Sequence, residues 1–382
     1  MKNYLLISLF AISLFGSWFD DIYQDVFKVQ SCQFKDKNSF DKNWQPFIKD
    51  SDDAIKLFNK MDKEKVESSW IPFISTKDRI RQDFNSILDD VITTFTGDTR
   101  ILDCLNEMRR LNRKIIEERD IILKLKEKNI SGDNKDIKTE IKVRLKNVLK
   151  IGTDIVAIRK SILLELKKLG LDLNNKELEA LLVRIDSDNI IQIMVIFDIS
   201  KKITLKLEEL MRSNNDNLKI SKRYYGMNLI LSEIALYVQD KYINSINSKY
   251  IPKLNKIISK VNLLIADTDR LLKKSSTQYE RDIYLNNIKS QKLTVQTAKM
   301  YIKNLAKQKE QIQIAKMRTI KNLDLTRNSY RTMQVGSNLL NLIKSTQQSF
   351  NKVINIQFPE IIPFQNSDIE REYKRLTNEL RD

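Results

Sequence analysis

Four lysines in the last third of the chain have a spacing that could bind an anion. Lys292, Lys299, Lys303 and Lys307 are separated by seven, four and four residues. In a helix, residues at these separations lie along one side. Glu310 is the one acidic residue close to them in sequence, so neighbouring ammonium groups repel one another. The pattern predicts a lysine-rich face for an acidic lipid or an acidic protein; the alternative is a plain solvated surface.

The composition excludes most of the familiar catalytic and metal-binding sites. The chain has no histidine, so Ser-His-Asp and Cys-His arrangements and histidine-ligated metals are ruled out. Two cysteines are too few for a four-cysteine zinc or iron–sulfur site. The phosphate-binding patterns GxxxxGK[ST] and GxGxxG are absent from the sequence. We therefore expect a protein that is not an enzyme and has no cofactor, no catalytic residues and no metal site.

The two cysteines, Cys32 and Cys104, form a candidate disulfide. In an oxidising compartment the bond would close a long loop and stabilise the fold by about 4 kcal/mol in the chain-entropy model. The alternative is two free thiols, because Cys104 occupies an apolar position of a helical pattern and could serve as a small core residue.

Positive charge is concentrated toward the C-terminal part of the chain. The formal net charge is +17. Residues 1–100 carry 14 basic and 16 acidic side chains, whereas residues 281–352 carry 14 basic and 3 acidic side chains. A field distributed in this way favours an anionic partner.

The first nineteen residues are typical of a secretory signal. Lys2 precedes a twelve-residue apolar run at 4–15, which is shorter than the roughly 20 residues of a membrane-spanning helix. Cleavage after Ser17 would place Phe15 where a small residue is preferred. We therefore predict export to the periplasm or beyond, with a membrane anchor over 4–19 and a buried amphipathic helix as alternatives. Export disfavours nucleic acid as the partner.

Scarce glycine and proline indicate the fold class. The chain has 7 glycines and 5 prolines, too few for the frequent turns of sandwiches, barrels and dinucleotide-binding folds. Apolar residues instead recur every three or four positions over long stretches. We predict an all-α protein, an elongated bundle of long antiparallel helices with coiled-coil-like hairpins.

The predicted organisation has four segments: 1–19 a signal peptide or N-terminal anchor, 20–75 an irregular aromatic-rich segment, 76–358 a long-helix bundle, and 359–382 a proline-bounded segment with a short helix. A Trp-x-Pro-Phe pattern occurs at 44–47 and again at 70–73. It predicts two extended arms, because proline restrains the residue before it to extended geometry.

Within the bundle we predict one hairpin in detail. Segments 98–131 and 134–170 carry apolar stripes that meet at a turn around Gly132, so they should pack antiparallel. The predicted contacts join one set of apolar side chains, Met108, Leu111 and Ile115, to a second set, Ile155, Ile158 and Ile162. Leu145 is predicted to belong to the same stripe. Heptads of this kind also suit a homo-oligomer.

These patterns predict an exported, membrane-associated helical protein with a structural or interaction role and a basic surface for an anionic membrane or an acidic protein. The alternative is a secreted all-helical pore-forming toxin or effector, in which the apolar stretch 190–199 inserts into a membrane. A buried helix accounts for that stretch more simply, and this is the structure we predict for it. A cytoplasmic nucleic-acid binder is a third reading of the positive charge.

Overall fold

A computed structural model describes residues 39–63, 76–97, 100–130, 134–213, 218–335, 361, 363–364 and 366–381. These residues form α-helices, one π-helical turn and no β-strand, which confirms the predicted all-α class. The elongated antiparallel arrangement stays a prediction. The described residues divide into two compact units, one within 103–164, the other within 39–102 and 165–381.

The described part of the chain consists almost entirely of α-helices. In chain order they are α1 Ser39–Lys63, α2 Thr76–Gly97, α3 Arg100–Lys128, α4 Lys135–Lys168, α5 Asn175–Leu182, α6 Ser187–Ser213, α7 Leu218–Ser245, α8 Ile251–Lys274, α9 Gln278–Val335 and α10 Ser367–Arg381. Helices α4 and α9, with 34 and 58 residues, confirm the expectation of very long helices.

Helix α1 corrects the prediction of an irregular segment over 20–75. Pro46 lies inside this helix rather than in an extended arm. Phe47 is fully buried, with its ring 5.7 Å from the ring of Phe95 in α2. The prediction was wrong here because burial of an apolar face of α1 outweighs the backbone hydrogen bond that proline removes. The second Trp-x-Pro-Phe copy, at 70–73, lies outside the described residues.

The first unit contains most of α3 and α4, the two helices predicted to form a hairpin. Arg144 of α4 donates a hydrogen bond of 3.1 Å to Glu118 of α3. The two residues lie at comparable distances in sequence from Gly132, as an antiparallel pair requires. Most of the side chains predicted to meet in this hairpin are buried, and Ile115 is half-buried. The contacts predicted between the two sets stay predictions.

The first half of α4 corrects one detail of that prediction. Leu145, predicted to lie in the apolar stripe, is exposed, and no side chain of 135–154 is buried. A two-helix hairpin covers only one side of each helix, so part of an apolar stripe remains at the surface.

The second unit is built around α7 and α9. Helix α9 packs against α7, α8 and α10, while α7 also packs against α1, α2 and α6. The apolar stretch 190–199 lies in α6, where Ile191 and Ile196 have no solvent exposure. This confirms the prediction of a buried helix for that stretch. Among the described helices, none has a window apolar enough and long enough to cross a bilayer.

Local sequence fixes two helix ends in the second unit. Gly170 has a φ of +89°, a left-handed conformation that ends α4, and Leu171 N–H donates to the Leu166 carbonyl over 2.9 Å. Asn174 caps α5, because its Oδ1 accepts hydrogen bonds from the N–H groups of Lys176 and Glu177. The Glu177 carboxylate accepts the Asn174 N–H in return, which completes a capping box.

A π-helical turn, Ile246–Tyr250, joins α7 to α8 without interrupting the helical path. Pro252 has no N–H, so it cannot bond to the carbonyl four residues earlier. The N–H of Ile251 instead donates to the Ile246 carbonyl, five residues back. The wider turn therefore lies directly before the position at which proline removes a helical hydrogen bond.

The capping box predicts a measurable contribution of Asn174 to stability. We expect Asn174→Ala to lower the free energy of unfolding by about 1 kcal/mol, because two N–H groups at the start of α5 lose their acceptor. Asn175→Ala, at the exposed first position of the same helix, is the matched control and should change stability by less than about 0.5 kcal/mol. Urea unfolding followed by circular dichroism measures both; equal losses would contradict the capping role.

Candidate anion-binding face and the buried network behind it

The lysine-rich face consists of Lys292, Lys299, Lys303 and Lys307 in α9. All four side chains are exposed. None of them forms an ion pair or hydrogen bond with another described residue. Glu310 is also exposed and does not neutralise them within the described part of the chain. The four ammonium groups span about 22 Å of helix at 1.5 Å per residue.

The opposite side of α9 is fixed in the core of the second unit. Tyr301 and Leu305 lie two residues before and after Lys303, and both are fully buried. Two residues correspond to about 200° around a helix, so the lysine points away from the buried side. Ala298 and Ile312 continue the buried stripe.

A buried ion pair lies behind this face, at the start of α6. Arg184 donates two hydrogen bonds to Asp186, from Nε over 3.0 Å and from Nη2 over 2.7 Å. Tyr242 of α7 donates a third hydrogen bond to the same carboxylate, also over 2.7 Å. Asp186 has no solvent exposure, so these donors replace the water that a carboxylate would otherwise bind.

The ionisation of this network follows from its burial. Burial by itself lowers the pKa of the Arg184 guanidinium, but Asp186 opposes this effect and raises the pKa above its ordinary value. Burial raises the pKa of Tyr242 well above its ordinary value, and the neighbouring Asp186 adds to the shift. The arginine is therefore charged and the tyrosine protonated, which keeps both as hydrogen-bond donors to Asp186.

The same region anchors α9 and α10. Tyr301 of α9 accepts a 2.6 Å hydrogen bond from the Ile185 N–H and shares a 2.9 Å hydrogen bond with Thr377 of α10. Its ring stacks on that of Tyr373, with centroids 3.7 Å apart. Arg381, the last residue of α10, donates to the Arg184 carbonyl over 3.2 Å. These contacts hold α10 against the buried side of α9.

Basic side chains farther along α9 behave differently from the lysine-rich face. Arg327 donates to Glu233 of α7, and Arg331 forms a bidentate pair with Asp62 of α1. Lys316 also pairs with a carboxylate of α7. These basic side chains join helices through ion pairs, whereas the lysines of the lysine-rich face form no ion pair with another described residue.

A cleft of about 410 Å³ lies beside these arginines. It is lined by Phe58, Met61, Asp62, Asp78, Arg81, Arg327 and Arg331. Arg327 and Arg331 bond there to the carboxylates of Glu233 and Asp62. Within the described residues, no group of three or more acidic or cysteine side chains is placed to hold a metal ion.

Cys104, the second half of the candidate disulfide, is buried in α3 and takes part in a disulfide bond. Cys32, its predicted partner, lies outside the described residues. The predicted pairing therefore stays a prediction.

Sequence reasoning missed the buried network. Arg184 and Asp186 are separated by one residue, and the residues that bond to them come from distant parts of the chain. The available signal was an Arg-x-Asp pair next to the most apolar stretch of the chain, where charged residues need partners.

No protein-family model, curated protein or solved structure matches this chain.

The buried pair predicts a large stability change. Asp186→Ala should lower the free energy of unfolding by about 3–5 kcal/mol, because it leaves the buried Arg184 charge without its partner. Tyr242→Phe should cost about 1.5–3 kcal/mol, the range for a hydrogen bond to a charged group. The control is Asp198→Asn, which removes a surface pair with Lys202 and should cost less than about 1 kcal/mol. Denaturant unfolding measures all three, and an Asp186 variant as stable as the control would contradict this assignment.

The raised pKa of Tyr237 predicts a loss of stability at alkaline pH. Burial, together with the hydrogen bond that the Tyr237 hydroxyl donates to Asp89, raises the pKa of Tyr237 to about 12. The ordinary value in the unfolded chain is about 10. A raised folded pKa stabilises below the unfolded pKa, so this contribution is complete below about pH 10 and lost toward pH 12. We expect the free energy of unfolding to fall over this interval and to fall less in Tyr237→Phe. Denaturant titrations at several pH values measure the slope; identical slopes would exclude Tyr237 as a cause.

Proposed function

We propose that this protein is a non-enzymatic helical interaction protein that binds an anionic partner through the lysine-rich face of α9. The observation that carries the proposal is the division of α9 into two sides. One side is buried and fixed by Tyr301 and its partners, while the other presents four exposed lysines without carboxylate partners among the described residues.

The electrostatics favour an external partner. Lysines at i and i+4 repel one another by a few tenths of a kcal/mol per pair, and an acidic surface relieves that repulsion. A basic side chain near an anionic lipid surface gains about 1 kcal/mol. A rigid helix keeps the four ammonium groups in place, so little conformational order is lost on binding.

An exported location forms part of the proposal, on the strength of the signal-like pattern at Met1–Phe19. That segment lies outside the described residues, and export stays a prediction. The alternative of a pore-forming toxin relies on insertion of 190–199, a stretch that lies buried in α6.

The proposal predicts that removing positive charge from the lysine-rich face weakens binding to anionic ligands. We expect Lys299→Gln, Lys303→Gln and Lys307→Gln, combined in one chain, to weaken binding to anionic probes at least tenfold, because three favourable contacts are lost. The probes are vesicles of equal parts phosphatidylglycerol and phosphatidylcholine, and soluble poly-L-glutamate. Co-sedimentation measures the first and calorimetry the second.

The matched control removes three exposed lysines of the same spacing from α4, through Lys142→Gln, Lys146→Gln and Lys150→Gln. Both triple variants lose the same net charge. Loss of binding in the α9 variant alone supports the proposal, whereas equal losses, or no binding of either probe by the unaltered chain, overturn it. Dye release from the vesicles would favour the pore-forming alternative.

A further inference from the structure

The hairpin formed by α8 and α9 exposes large apolar side chains. In helix α8 only Leu254 and Thr268 are buried, and Gln291 of α9 donates a 3.0 Å hydrogen bond to the Thr268 hydroxyl. The outer surface of the hairpin carries a group of large, exposed apolar residues: Leu263, Leu264, Leu271, Tyr279, Ile283 and Leu285. Several large apolar side chains left exposed close together in sequence on a folded protein are typical of an interaction site.

The closed end of this hairpin is an ordered turn. Glu280 accepts hydrogen bonds from the N–H groups of Ser276 and Thr277, over 2.9 and 3.2 Å, and so caps α9. Leu271 lies four residues before this turn and Tyr279 lies in the first turn of α9. The exposed apolar residues near the turn are therefore held on regular helices, in fixed positions.

Basic residues are interleaved with these apolar residues. Lys256, Lys260, Lys274 and Lys289 are exposed in the same stretch. Residues 256–292 carry eight basic and four acidic side chains. Asp267 pairs with Arg270, which cancels one charge of each sign, and Glu280 caps its own helix. The surface is therefore both apolar and net positive.

We infer that the anionic partner is a lipid bilayer, and that the α8–α9 hairpin lies on its surface with leucines at the boundary between headgroups and acyl chains. This inference rests on the proposed function and names its partner. Exposed lysines at such a boundary extend to the anionic headgroups while their aliphatic stems stay with the apolar residues.

The arrangement fits a bilayer better than a partner helix or a second copy. Leu263 and Leu264 are adjacent, so they point about 100° apart around α8, whereas a helix-binding groove accepts a narrow stripe at i, i+3 and i+4. A second copy would bring two positively charged hairpins together, and their like charges would repel. An anionic bilayer accepts apolar side chains over a broad angle and attracts the lysines.

The test replaces three leucines of the hairpin by glutamine, Leu263→Gln, Leu264→Gln and Leu271→Gln, in the full chain. The matched control is Leu145→Gln, Leu149→Gln and Val156→Gln in the other compact unit; all six side chains are between 45% and 70% exposed. We expect the hairpin variant to bind vesicles of equal parts phosphatidylglycerol and phosphatidylcholine at least tenfold more weakly, with binding to poly-L-glutamate unchanged. The control should retain vesicle binding.

The outcomes separate this inference from the proposed function. Equal vesicle binding by the unaltered chain and the hairpin variant, or equal losses in both triple variants, overturns the bilayer inference. Binding of poly-L-glutamate without vesicle binding overturns it too, but leaves the lysine-rich face as a site for an acidic protein. Circular dichroism confirms that each variant is folded, since substitutions at exposed positions should leave helicity unchanged.

Discussion

Asp186 is a carboxylate with no contact with solvent, and its need for hydrogen-bond donors constrains the second unit. Arg184 and Tyr242 supply its hydrogen bonds, so the chain before α6 and the last turn of α7 must meet at one point. The adjacent backbone serves two further helices: the Ile185 N–H bonds to α9, and the Arg184 carbonyl bonds to α10. A buried charge tolerates little displacement of its partners, so this short segment sets the register of four helices.

That constraint explains why the exposed side of α9 can carry lysines that form no ion pair with other described residues. The helix is held from its buried side by Tyr301, and farther along by the pairing of Arg327 with Glu233. Its outer side is therefore not needed for cohesion. Lysines there remain hydrated and available, whereas the same residue type at Lys316 is used to join two helices. Position in the fold, rather than residue type, decides which of these charges can meet a partner.

The helical class and several boundaries could be predicted from the sequence because their causes are local. Gly170 ends a helix through its own backbone conformation, and Asn174 begins one through bonds within three residues. Helix α1 was not predicted, since the local effect of Pro46 is opposed by packing against distant residues. The break between α8 and α9 was also missed, because Ser275–Thr277 contains neither glycine nor proline.

The lysine-rich face and the buried network also differ in how far apart their residues lie along the sequence. The lysine spacing is visible in sixteen consecutive residues and needs only the helical period to interpret. The partners of the buried pair lie far away: Tyr242 is 56 residues from Asp186, and Arg381 is 197 residues from Arg184. No local pattern marks pairs at such separations, and the exposed face of α4 at Leu145 likewise depends on which neighbours are present.

The unbroken length of α9 has a consequence for how this protein can change in evolution. Its 58 residues contain no glycine or proline, so nothing within the helix can absorb a shift in register. Inserting or deleting one residue would rotate every following side chain by about 100° relative to those before it. A single such change near Lys292 would turn the lysines toward the core or expose Tyr301. Substitutions at the surface of this helix are tolerable, whereas the insertion or deletion of one residue is not. The number of residues in α9 is therefore constrained as a whole.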